Sequence, residues 1–101
     1  MITAVFTKSG STAGFTLTGH SDLAEHGSDV LCAAVSSAAM LICNTVTDVL
    51  CDPTAEVSVE DDRISLTCAQ KGTDMVSALL LHMQLLSQQY PGNILIKEVK
   101  S

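Results

Sequence analysis

Four cysteines and three histidines carry most of the chemistry this chain could perform: Cys32, Cys43, Cys51 and Cys68, with His20, His26 and His82. A thiolate is the reactive form of cysteine, so position decides which of the four is a nucleophile. Cys32 stands apart. Asp29 reads as the N-cap of a long helix, which puts Cys32 in the first helical turn. Backbone N–H groups there lack partners and the helix dipole is positive. The dipole supplies about 0.3–1 kcal/mol, less than the 1.36 kcal/mol that moves a pKa by one unit. A neighbouring imidazolium is needed to hold the thiolate, as in Cys–His enzymes. His20 ends a strand and Cys32 begins a helix, so both stand on rigid elements with one loop between them. His26 lies within that loop, and His82 lies in the middle of a second helix. Spacing alone is weak evidence for a pair, because many thiols are inert core residues.

The other cysteines have simpler readings. Cys43 is a small core hydrophobe about three helical turns after Cys32. Cys51 closes the helix end, and Cys68 falls on the inward face of a strand. No C-x-x-C pair occurs and the gaps are irregular, so no metal site is expected. The acidic run Glu60-Asp61-Asp62 sits at a hairpin tip and reads as a solvated turn. Met75 and Met83 are core filler.

Periodicity supplies the scaffold around these side chains. Ile2, Ala4 and Phe6 alternate with Thr3, Val5 and Thr7, the period of a half-buried strand. Lys8–Gly14 is rich in turn residues and reads as a long hairpin loop, after which Phe15–His20 alternates again. Ser21–Ser28 is polar and reads as a loop, either an ordinary exposed connection or a gate over Cys32. Leu31, Ala34, Val35, Ala38, Ile42, Val46 and Val49 then recur at helical spacing until Asp52-Pro53 ends the helix. Ala55, Val57 and Val59, then Ile64, Leu66 and Cys68, form a tight hairpin with matched apolar faces. Gly72-Thr73 opens a helix with Met75, Val76, Leu79, Leu80, Met83, Leu86 and Tyr90 on its apolar side, stopped by Pro91-Gly92. Ile94–Val99 is a last strand. The expected class is α+β: a largely antiparallel sheet carrying two helices, in the order ββαββαβ.

At 101 residues the chain is one domain, residues 1–101. Charged residues make up 16% and hydrophobic residues 47%, which excludes a disordered tail. Net charge is −6 with five Lys and Arg, too few for a stripe that neutralises phosphates. Phe6, Phe15 and Tyr90 are the only aromatics, too few for a base-stacking platform, so no direct nucleic-acid binding is expected. No basic and apolar leader follows Met1, and Ser, Thr, Asn and Asp interrupt the apolar runs. The expectation is therefore no signal peptide, no membrane span, reduced thiols and a cytoplasmic location.

The run from Gly19 to Ser36, GHSDLAEHGSDVLCAAVS, closely resembles the signature of the Prp family, the bacterial ribosomal-processing cysteine proteases. That signature has Gly-His near the end of a second strand and a short loop with a glycine. Asp, two hydrophobic residues and Cys-Ala-Ala-Val-Ser then open a helix. Length and element order fit across essentially the whole chain. One departure is Ser21, where the family usually has Ala; it leaves the Cys–His pair untouched.

The resemblance implies a homodimeric, cofactor-free endopeptidase that removes a short N-terminal extension from one large-subunit ribosomal protein. It implies Cys32 as nucleophile and His20 as general base, with Gly19, Asp29 and Ser36 at further motif positions. N–H groups at the helix start are candidates to hold the oxyanion. Asp29 either caps the helix or orients His20 in the manner of a triad Asp; the cap is the simpler role. Ser36, four residues after Cys32, shares its helix face. Two other classes fit the residues: a non-catalytic assembly factor whose acidic surface binds a basic ribosomal protein, and a redox or acyl-carrying thiol protein using Cys32.

Overall fold

The computed structural model describes residues 1–19 and 28–100, with the side chains of Ser28 and Asp29 outside the description. The elements are β1 (Ile2–Ser9), β2 (Thr12–Thr18), α1 (Ser28–Asn44), β3 (Glu56–Glu60), β4 (Arg63–Cys68), α2 (Thr73–Gln89) and β5 (Ile94–Lys100). The expected ββαββαβ order is present. The five strands form one sheet in the order β3-β4-β2-β1-β5. Every neighbouring pair is antiparallel except β1 with β5, which runs parallel.

Side chains alternate across a strand, so strand register builds rows on one face of the sheet. Ala4 pairs with Leu17 and Leu17 with Ile64; Phe6 pairs with Phe15 and Phe15 with Leu66. These rows join one core cluster with Leu31, Val35, Ala39, Ile42 and Val46, and with Val76, Leu79, Met83 and Leu86 of α2. The helices thus cover one face. The other face carries Thr3, Thr16, Thr18 and Ser65, all partly exposed.

Several local expectations are corrected. The β1–β2 connection is not a long loop: Ser9 pairs with Thr12, leaving only Gly10 and Ser11 in the turn. Gly10 makes this possible with φ 59, a conformation that L-residues rarely adopt. Gly14 is not a turn glycine. It lies inside β2, where a Cβ would stand 2.6 Å from the Leu66 carbonyl oxygen. Helix α1 begins at Ser28, so Ser28 belongs to the helix rather than the loop, and Asp29 is its second residue rather than its N-cap.

At its other end α1 runs into a π-helical turn, Thr45–Val49. The wider i→i+5 turn shifts the angular phase of the residues within and beyond it. Val46 remains buried, but Val49 is 74% exposed instead of facing the core. The apolar rows also run past the helices: Val57 and Val59 on the edge strand β3 are 39% and 55% exposed. Finally, Val30–Val49 is by length and composition apolar enough to cross a bilayer, contrary to the reading of the interrupted runs. In the fold its Leu31, Val35, Ala39, Ile42, Cys43 and Val46 are buried in the core.

Candidate active site

Cys32 is the fifth residue of α1 and is half-buried. Its position is set by its neighbours. Leu31 and Val35 are buried to within 1%, which docks the start of α1 on the sheet and leaves Cys32 on the flank of that seam. Because the helix starts at Ser28, Cys32 lies just past the first turn, and the dipole acts on it more weakly than the sequence suggests. Ser36 lies one turn further on the same side and is also half-buried. Asp29 sits with helical backbone in the turn before Cys32.

Gly19 closes β2. Its φ is +84, and a Cβ there would overlap the backbone carbonyl of Met1. Only glycine fits this corner, which gives a physical reason for that position in the motif. Its N–H donates to Asp62 Oδ1 at 3.2 Å. The Thr18–Arg63 pair is the last rung of the β2–β4 ladder, so Gly19 comes level with Asp62 in the β3–β4 turn. There the aspartate side chain accepts the bond that the ladder can no longer supply. From the sequence, Glu60-Asp61-Asp62 reads as a solvated turn, and this contact is not foreseen. The signal lies in the register: a tight hairpin places its turn beside the end of the neighbouring strand.

His20 and His26 lie outside the described residues, as does the candidate gating loop except for Ser28. The structure thus positions Cys32, Ser36 and the Gly19–Asp62 corner. His82 is exposed on α2, apart from these residues in the chain, as expected. Cys43 and Cys68 are buried, as expected, while Cys51 is exposed and the thiols are free. Burial pushes the Cys43 and Cys68 thiols up, and the nearby Asp52 carboxylate adds to the effect at Cys68. Among the described residues, no three His, Cys, Asp or Glu side chains come together as metal ligands. A cavity of about 210 Å³ lies toward the opposite end of the sheet, between Phe6, Lys8, Val76 and Leu80, and contains none of these residues.

The fold is shared with solved structures. SMU.848 from Streptococcus mutans is 27% identical, with a TM-score of 0.79 over 100% of this chain and 96% of that one. Two structures of the essential ribosomal processing protease Prp from S. aureus are each 19% identical. One is in complex with a substrate peptide and the other with a covalently linked product peptide, with TM-scores of 0.82 and 0.81. Each covers 97% of this chain and 99% of the other. No curated protein sequence matches. The model of the cysteine protease Prp matches residues 1–95, nearly the whole chain and every element except the last part of β5. The chain therefore belongs to the Prp cysteine protease family.

Proposed function

We propose that this protein is a ribosomal processing protease that uses Cys32 as nucleophile and His20 as general base to remove the N-terminal extension of a large-subunit ribosomal protein. The observation that carries the reading is the placement of Cys32: half-buried on a docked helix start, in the Cys-Ala-Ala-Val-Ser segment of a chain matched to the family over residues 1–95. Inert thiols of this chain, Cys43 and Cys68, are by contrast fully buried. The substrate peptide and covalent product peptide held by the S. aureus protease support peptide hydrolysis through an enzyme-bound intermediate.

His20 takes the Cys32 proton, and the thiolate attacks the scissile carbonyl carbon, forming a C–S bond. N–H groups at the start of α1 face the developing oxyanion. As the tetrahedral species collapses, the C–N bond breaks and His20 returns the proton to the leaving amine. Water then hydrolyses the thioester and frees Cys32. Gly19 supplies the tight corner before His20, and Asp29 and Ser36 occupy the further motif positions on either side of Cys32 in the sequence. No cofactor enters these steps.

Membership of a cysteine protease family favours catalysis over the assembly-factor reading and the redox or acyl-carrying reading. The acidic surface keeps a role: net charge −6 favours approach of a basic ribosomal protein. The protein works as a cytoplasmic homodimer. Exposed Leu41, Leu81 and Leu85 on the helices, and an apolar groove of about 150 Å³ between Leu41, Ile42, Leu79 and His82, support a helix-mediated twofold contact. The deciding experiment is mass spectrometry of an extended ribosomal protein incubated with the enzyme. Cleavage at one N-terminal bond is expected, abolished in Cys32→Ala and His20→Ala. Cleavage that survives Cys32→Ala would sink the reading.

A further inference from the structure

The sheet ends on one side at β3, Glu56–Glu60, which among the described residues pairs with β4 alone. We propose that this open edge is a docking surface for a basic stretch of the ribosomal substrate, which lies along β3 as a sixth strand with its cations beside Glu56 and Glu60. This docking presupposes the reading of the substrate as a basic ribosomal protein and gives that substrate a surface.

The backbone supplies half of the fit. Asp61 and Asp62 form a two-residue turn between Glu60 and Arg63. In such a hairpin the residues that close the turn exchange hydrogen bonds, and bonded and non-bonded pairs alternate from there. Glu60, Ser58 and Glu56 therefore bond toward β4. The N–H and C=O groups of Val57 and Val59 point the other way, to the free edge, where no backbone group of the described residues meets them. An added strand finds two donors and two acceptors there, spaced for an extended chain.

The side chains supply the other half. Glu56, Ser58 and Glu60 share one face of the sheet with their β4 partners Thr67, Ser65 and Arg63. Val57 and Val59 share the opposite face with Leu66 and Ile64 and stay partly exposed. A strand that alternates basic and apolar residues sets its cations beside the glutamates and its apolar side chains beside the valines. Charge decides the occupant. Residues 56–63 carry four carboxylates and one cation, Arg63. An open edge also invites a second copy of the chain. The run Glu-Val-Ser-Val-Glu reads the same in both directions, so antiparallel pairing of two copies about Ser58 sets each Glu56 against a Glu60. Like charges directly opposite are unfavourable, so the edge rejects its own copy and favours a basic strand.

The edge also leads to the nucleophile. The Gly19 N–H bonds to Asp62, so the β3–β4 turn lies at the end of the sheet where β2 closes. The helical run begun by α1 finishes at the other end, where Val46 and Cys68 both pack against Gly72. Cys32 precedes Val46 by fourteen residues, about 21 Å back along the helix, which is close to the length of β4. Cys32 and the β3–β4 turn thus share an end of the sheet.

The test uses Cys32→Ala, so that nothing is cleaved, and a capped peptide with the core Lys-Val-Thr-Val-Lys. Amide exchange followed by NMR reads the docking. In the free protein Val57 and Val59 should exchange fast and Ser58 slowly. An excess of peptide should slow Val57 and Val59 and leave Ser58 as it was. Charge reversal, Glu56→Lys with Glu60→Lys, should weaken binding about 10-fold and turn the preference toward Glu-Val-Thr-Val-Glu. Val57→Pro removes one edge donor without touching the β4 ladder and should abolish the protection at Val59. With Cys32 intact, the charge-reversed enzyme should show KM for the extended ribosomal protein raised about 10-fold and kcat within about twofold. Peptide that leaves Val57 and Val59 exchanging fast overturns the proposal. So does binding or KM indifferent to the charge reversal. Protection that grows with protein concentration alone would make β3 an interface between copies and overturns it as well. An enzyme that cleaves the ribosomal protein while β3 ignores the peptide overturns the docking alone. An enzyme that docks the peptide but cleaves nothing overturns the protease reading and leaves the basic-strand surface standing.

Discussion

The buried carboxylate of Asp52 accepts the backbone N–H of Gly72 at 3.0 Å, tying the chain that leaves α1 to the residue that opens α2. The same carboxylate accepts the Thr54 hydroxyl at 2.6 Å and the N–H groups of Thr54 and Gln70 at 2.8 and 3.3 Å. Thr54 extends the knot by accepting the Ala69 N–H at 2.8 Å. Four donors converge on one carboxylate, twenty residues from Gly72, at the junction of α1, β3, β4 and α2.

That knot makes stability depend on pH. The Thr54 hydroxyl, aided by the three backbone donors, outweighs burial and lowers the Asp52 pKa from 3.8 to about 2. A group whose folded pKa is depressed stabilises the fold above its unfolded pKa and loses that contribution as pH falls through the folded value. Urea midpoints are therefore expected to fall between about pH 4 and pH 2. In Asp52→Asn the midpoint should be lower at neutral pH, and this acid-dependent part should vanish. The amide presents an NH₂ where the carboxylate accepts, so at least one backbone donor loses its partner. An unchanged acid profile in Asp52→Asn would refute this.

Glycine substitutions should separate by cause. A Cβ on Gly72 would stand 2.6 and 2.9 Å from the Val46 methyls and 3.0 Å from Cys68 Sγ. Gly72→Ala overpacks the core and should cost about 1–3 kcal/mol. Gly10→Ala meets nothing within 4 Å but must hold φ 59, a backbone cost of about 1–2 kcal/mol. Denaturant unfolding of the two variants checks both figures. Only Gly72→Ala should gain from the compensating Val46→Ala change.

Thiol labelling should sort the four cysteines. Under native conditions iodoacetamide should modify Cys32 first and the exposed Cys51 next. Cys43 and Cys68, buried and with their thiols pushed up, should react only after unfolding. Peptide mapping after timed alkylation reads the order. Equal rates at all four positions would remove the case for Cys32 as an activated nucleophile.

Light scattering tests the dimer. Twice the 10.6 kDa chain mass is expected at micromolar concentration. Leu41→Glu, at a residue 65% exposed on the helix layer, should shift the protein toward monomer while leaving the fold intact. A parent protein of single-chain mass would exclude the twofold contact.

The sequence is most legible where periodicity and burial agree. Phe6, Phe15, Leu66 and Cys68 fall on the inward face by simple alternation, and α2 begins at the Gly72-Thr73 step, as expected. It is least legible where tertiary geometry overrides local pattern. The composition of Lys8–Gly14 suggests a loop, yet Thr12–Gly14 pair in β2 because Gly10 makes so tight a turn possible. Val57 and Val59 alternate like core residues, but on the edge strand they stay partly exposed, with no helix among the described residues covering them. Of the site, Cys32 and the Gly19 corner can be read from the motif. Asp62 cannot, because its role depends on which strand lies beside the hairpin.

The parallel pairing of β1 with β5 sets a timetable for maturation. Ile2 pairs with Ile94, and the Ile2 N–H donates to the Asn93 carbonyl at 3.0 Å. Met1, whose carbonyl presses against Gly19, is thus held in place from the far end of the sequence. Chains emerge during synthesis at about 5–20 residues per second, so the roughly 90 residues separating the two strands take about 5–20 s. For that interval the nascent chain has its β1–β2 hairpin and Cys32, but β1 has an open edge and the Gly19 corner lacks its backing. The sheet, and with it the anchoring of Ile2 beside the Met1–Gly19 contact, is complete only when the last strand has been made.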